Sequence, residues 1–172
     1  MIGWLATLSR GLNRLAAGVA ILLILYMFGH IILEIVLRLF GHSTFILDEY
    51  IGYAVAAMTF LGLPYVLEKD GLIRVALVLD RLPKKWHWPL ELLIAATSFA
   101  AFGWLSLFWW QNVARSYERG ITSDTLSETP LWIPEGIVLL GLWLLCFTLV
   151  VRSLQLVTER SRHTHPTQGS AD

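Results

Sequence analysis

The stretch LAAGVAILLILYMFGHIIL, residues 15–33, carries no charged side chain and is interrupted by one imidazole, His30. Its 19 residues, at about 1.5 Å rise each, span roughly 28 Å as a helix, close to the hydrocarbon thickness of a bilayer. Three further uncharged runs follow: Tyr50 to Leu67, Leu92 to Ala114, and Gly136 to Val151. The last is short, but it reaches 20 residues when extended back to Trp132 past a single acid, Glu135, placed at headgroup level. Backbone amides in lipid must bond within their own segment, so each run is expected to be an α-helix. None shows the polar stripe that a helix of a soluble bundle keeps. The reading is therefore an all-α integral membrane protein with spans near 15–37, 50–67, 90–113 and 132–152.

Composition agrees. The 172 residues are 56% hydrophobic and 15% charged, with a mean hydropathy of +0.62; a soluble domain carries about a quarter charged residues. Thirteen basic residues balance thirteen acidic ones, which excludes a charge-driven disordered chain and a broad basic face for nucleic acid. The single cysteine, Cys146, has no partner for a disulfide or a CxxC motif. Arg10 and Arg14 precede the first run like a signal sequence. The run is longer than a signal core, however, and Glu34-Ile35-Val36-Leu37-Arg38 offers no cleavage site, so it is expected to remain as an anchor.

Charge placement sets an orientation. With the N-terminus inside, ten basic residues lie on the cytoplasmic side, among them Arg74, Arg81, Lys84, Lys85 and Arg152, and three lie outside: Arg38, Arg115 and Arg119. The positive-inside rule selects N-in and C-in. Trp86, Trp88, Trp109, Trp110 and Trp132 fall where aromatic belts sit. Between spans two and three, Leu72 to Leu82 places Arg74 and Arg81 on one face amid leucines and valines, and Pro83 ends it. Eleven residues cannot cross, so an amphipathic helix along the cytoplasmic interface is expected. Residues 1–160 then form the transmembrane domain, and 161–172 a disordered cytoplasmic tail. His163 and His165 in that tail lack a third metal ligand.

The chain contains no phosphate loop, nucleophile elbow or zinc spacing, and a lone intramembrane His30 does not supply paired haem ligands. No catalytic, cofactor-binding or metal site is expected. His30, Glu34 and Arg38 stand at i, i+4 and i+8, a ladder toward the outer end of the first span. Glu34 either pairs with Arg38 at the interface, meets a polar group on a partner helix, or serves as the coupling acid of a small proton-driven carrier. Asp48 and Glu49 suit the positive end of the second helix. Gly52 with Ala56, and Ala96 with Ala100, have spacing that permits close helix contact.

These residues fall into a larger pattern. Arg38-Leu39-Phe40-Gly41, Asp48-Glu49-Tyr50, Thr59-Phe60-Leu61-Gly62, Asp70-Gly71-Leu72-Ile73-Arg74-Val75 and Leu79-Asp80-Arg81-Leu82-Pro83 occur in order. Ser116-Tyr117-Glu118-Arg119-Gly120, Thr125-Leu126 and Pro130-Leu131-Trp132-Ile133 follow. The chain resembles the small membrane subunit, DctQ-like or Q, of tripartite ATP-independent periplasmic (TRAP) transporters. It departs from the family at Leu72 and Ala76, where members commonly carry a histidine and an acid. The resemblance implies a non-catalytic scaffold in the bacterial inner membrane without cofactors of its own. Its partners would be a large membrane subunit holding the substrate and sodium sites, a periplasmic substrate-binding protein, and lipids. Glu34, Arg38, Asp48, Glu49, Gly52, Gly62, Arg74, Asp80 and Arg81 are the candidate structural or partner contacts. A self-sufficient carrier and the membrane anchor of a quinone-linked dehydrogenase are the competing readings.

Overall fold

The computed structural model describes residues 2–69 and 87–163. Within them lie four helices, each long and apolar enough to cross a membrane: α1 (Ile2–Leu39), α2 (Leu47–Glu68), α3 (His87–Glu118) and α4 (Trp132–His163). They run up and down, so the start of α1 and the end of α4 lie at one end of the bundle. The segment expected to form the interfacial helix, with Arg74, Asp80 and Arg81, lies outside the described residues, as does the chain beyond His163.

The helices overrun the expected spans, and at the start of α1 packing explains it. On α1 the buried residues Ala6, Ser9, Asn13, Ala16, Ala20, Met27 and Glu34 keep one seam at spacings of three, four and seven. That seam does not stop where the lipid-facing run begins at Leu15. Its first turns meet the middle of α4, where Thr148, Leu149 and Val151 are also buried. A stripe of this kind holds a helix together past the membrane boundary.

α4 is the central element. It packs on α1, α2 and α3, and Val138, Leu139, Leu142, Leu145 and Leu149 form the apolar middle of the bundle with Ala54, Ala57 and Leu61 of α2. α1 packs mainly on α2, whereas α3 leans chiefly on α4 and leaves most of its surface outward.

Two glycines end helices at the same side. At Gly41 (φ 74°) the His42 amide donates to Leu37 O and the Gly41 amide to Arg38 O, at 3.0 and 3.1 Å. At Gly120 (φ 58°) Ile121 donates to Ser116 O and Gly120 to Tyr117 O, at 3.0 and 3.3 Å. Both are Schellman caps, in which left-handed backbone lets the chain reverse and cover the last carbonyls.

α4 approaches the α2 backbone closely at Gly141. A Cβ there would stand 2.7 Å from the backbone carbonyl carbon and oxygen of Phe60. That carbonyl belongs to the residue four before Pro64, which lies inside α2 and has no N–H to donate. A residue without a side chain on α4 thus meets a carbonyl left free by a proline on α2. Gly52, singled out from its spacing with Ala56, and Gly62, named through the family resemblance, have open space where a Cβ would stand. Gly141→Ala is expected to lower stability by about 1–3 kcal/mol through overpacking against rigid backbone. Gly62→Ala should lie within about 0.5 kcal/mol of wild type, and thermal unfolding in detergent compares the two.

Candidate functional site

The polar side chains that tie helices and loops to one another by side-chain hydrogen bonds gather at the two ends of the bundle. At the end where α1 leaves, the Glu34 carboxylate is almost wholly buried, with 1% of its side chain exposed. It takes up four donors. Arg38 Nε donates to Oε1 at 3.1 Å, and the Ser43 hydroxyl donates to the same oxygen. The Thr44 amide and hydroxyl donate to Oε2 at 3.1 and 2.6 Å. A carboxylate has acceptor capacity for all of them and no N–H or O–H to leave unpaired. Glu34 therefore folds the α1–α2 loop back onto α1. The same fold holds Phe45 in left-handed backbone (φ 57°), its side chain exposed. The pairing expected between Glu34 and Arg38 is present, but Arg38 is one donor of four and its side chain is 64% exposed.

Glu49, in the first turn of α2, does the same for the loop between α3 and α4. Its carboxylate accepts from the hydroxyls of Ser127 at 2.6 Å, Tyr53 at 2.9 Å and Thr125. That loop is further closed by Ser123 N to Thr129 O at 2.9 Å and Leu131 N to Ile121 O at 3.1 Å. Asp48 borders a pocket of about 330 Å³ shared with Glu34, Arg38, Ser43 and Phe45. α3 is fastened at this end by Trp109, whose indole N–H donates to Glu135 O at 3.1 Å.

At the opposite end Asn13 is fully buried and joins three helices. Its amide donates to Glu68 Oε2 of α2 at 2.8 Å, and its carbonyl accepts from Thr148 Oγ1 of α4 at 3.1 Å. Ser9 stands 3.4 Å from the Thr148 hydroxyl, and Arg152 donates to Leu67 O at 3.0 Å. A cavity of about 620 Å³, with Arg10, Glu68, Glu91 and Gln155 on its walls, opens beside this cluster. Asn13, Ser9, Thr148 and Glu68 were absent from the sequence-derived candidates. Asn13 reads as part of a basic flank and Thr148 as one hydroxyl in an apolar run, and their only signal is that each falls on its helix's buried seam.

The structure thus brings Glu34, Arg38 and Asp48 together around the first loop and sets Glu49 under the second. Gly52 lies exposed on α2. His30 does not extend the Glu34–Arg38 pair. Its Nδ1 is 3.1 Å from the Tyr26 hydroxyl instead. Among the described residues no group of three or more His, Cys, Asp or Glu could hold a metal.

Because each carboxylate anchors a different loop, their substitutions should act locally. Glu34→Ala is expected to speed proteolytic cleavage within residues 40–46, and Glu49→Ala within 121–131, each leaving the other loop as resistant as wild type. Limited proteolysis with mass spectrometry reads both, and Arg38→Ala should have the smaller effect.

A family model described as "Tripartite ATP-independent periplasmic transporters, DctQ component" matches residues 27–159, from the second half of α1 through nearly all of α4. No curated protein and no solved structure matches the chain.

Proposed function

Because the chain belongs to the DctQ component family of tripartite ATP-independent periplasmic transporters, and is thus the small membrane subunit of such a transporter, we propose that it serves as a non-catalytic scaffold. On this reading it supports the large transport subunit in the bacterial inner membrane and helps dock the periplasmic substrate-binding protein. Substrate and sodium sites belong to the large subunit, and this chain needs no cofactor.

The observation that carries the proposal is the distribution of polar groups. Ser9, Asn13, Thr148 and Glu68 meet at one end, Glu34 and Glu49 at the other, and the bundle between them is filled by Ala54, Ala57, Leu61, Leu139, Leu142 and Leu145. A carrier of a hydrophilic solute places its binding groups near the bilayer midplane, at a break in the helices. Here that level is packed hydrocarbon. Glu34 has its oxygens engaged by loop donors, a fixing role and not that of an exchangeable coupling acid. What the bundle does offer is two loops pinned by buried or bonded carboxylates on one side, and long outward apolar faces on α1 and α3.

The outer side is assigned to the Glu34 and Glu49 loops, with both chain ends cytoplasmic, from the placement of basic residues. The segment 72–82 is assigned to the cytoplasmic interface for the same reason and from its amphipathic pattern.

Vesicles reconstituted with this chain, the large subunit and the binding protein should accumulate substrate down a sodium gradient. Vesicles holding this chain and the binding protein without the large subunit should accumulate none, and uptake there would defeat the scaffold reading. For the orientation, a Cys146→Ala, Asp124→Cys variant should react with a membrane-impermeant maleimide in intact spheroplasts, whereas Cys146→Ala, Asp172→Cys should react only after lysis.

A further inference from the structure

Tyr26 stands midway along the expected 15–37 span, two helical turns or about 12 Å below the level of Glu34 and its loop partners. Its hydroxyl and His30 Nδ1 are 3.1 Å apart, and the two rings tilt against each other at 5.4 Å between centroids. A neutral imidazole carries one N–H and a phenol one O–H. If Tyr26 donates to Nδ1, the His30 Nε2–H is left over; if Nδ1–H donates to the phenol, the Tyr26 O–H is left over. Either tautomer leaves one donor, and among the described residues neither side chain has another hydrogen-bond partner. Tyr26 is 44% exposed, so the pair opens onto the outside of the bundle. It lies on a second seam of α1, Leu15, Val19, Leu22, Tyr26 and Leu33, offset from the seam that packs on α2 and α4 and exposed throughout. Lipid at this depth is hydrocarbon, and the ester carbonyls lie far above it. An unmet donor there is costly.

We propose that this seam of α1 is the surface on which the large membrane subunit docks, through a transmembrane helix that presents an oxygen acceptor to the Tyr26–His30 pair. The acceptor is a side-chain carbonyl, carboxylate or hydroxyl, or a main-chain carbonyl freed at a helix break. The inference rests on the scaffold reading above, since it takes the large subunit as the occupant.

The test uses the whole transporter, purified through this chain, with the photo-reactive amino acid p-benzoylphenylalanine placed singly at Leu22 or Leu33 on the seam, at Val55 on α2 and at Leu107 on α3. Adducts with the large subunit are expected from Leu22 and Leu33. Adducts from Val55 or Leu107 alone, lipid adducts alone at Leu22 and Leu33, or a crosslink between two copies of this chain would overturn the inference while leaving the scaffold reading intact. Failure of the large subunit to co-purify with the unlabelled chain would defeat both. Independently, the double variant Tyr26→Phe, His30→Leu should retain about threefold to fifteenfold less large subunit under dilution, the range expected for a hydrogen bond between membrane helices. Its thermal unfolding as an isolated chain should stay at the wild-type value. Unchanged retention would show that the pair faces lipid.

Discussion

Hydrocarbon supplies no hydrogen-bond partner, and the arrangement of this molecule follows from that one fact. The helices satisfy their own main chains, which leaves polar side chains as the groups that must find company within the protein. Asn13 finds it on two neighbouring helices, Glu34 in a loop and Glu49 in another. Each polar contact doubles as a fastening: Asn13 ties α1 to α2 and α4, and the two carboxylates tie the loops down. Between the ends, contact is by shape. Gly141 against the Phe60 carbonyl is one instance: it needs a missing side chain on α4, and the carbonyl it meets is one to which Pro64 on α2 supplies no N–H.

This division is what favours the proposed supporting role. A path for a hydrophilic solute would need polar groups at mid-depth, where their burial is most expensive. The chain spends its polar residues at the two faces, where they rigidify loops and helix ends. At mid-depth Thr59 and Ser106 return their hydroxyls to carbonyls of their own helices, whereas the Tyr26–His30 pair on the outside of α1 keeps a donor to spare. An exception of that kind marks a place where the bundle is incomplete alone.

The sequence was informative wherever the property concerned one segment and its solvent. Span number and approximate limits follow from uncharged run length, because hydrocarbon thickness is fixed and a helix rises by a constant amount per residue. The helix limits were less legible: α1 begins at Ile2 because its buried seam outlasts the apolar run, and α4 continues to His163, past its last buried residue Val151. Glu34 and Arg38 could be paired from i, i+4 spacing, but Ser43 and Thr44 could not be added, since their approach depends on the reversal at Gly41. Gly52 and Gly62 drew attention through their motifs, while the glycine that matters for packing, Gly141, sits in an unremarkable run of leucines.

What the sequence by itself determined is therefore an all-helical chain with four membrane-crossing segments and the order of its family motifs. Transfer from water to lipid depends on each segment's own composition and length. Only the tertiary structure decided which polar groups meet, which glycine lets two helices touch, and which face of α1 is left with an unspent donor. Those outcomes depend on partners such as Asn13 with Thr148 or Gly141 with Phe60, brought together by packing across much of the chain. Hydrogen bonding and close contact are short-ranged in space and indifferent to distance along the sequence.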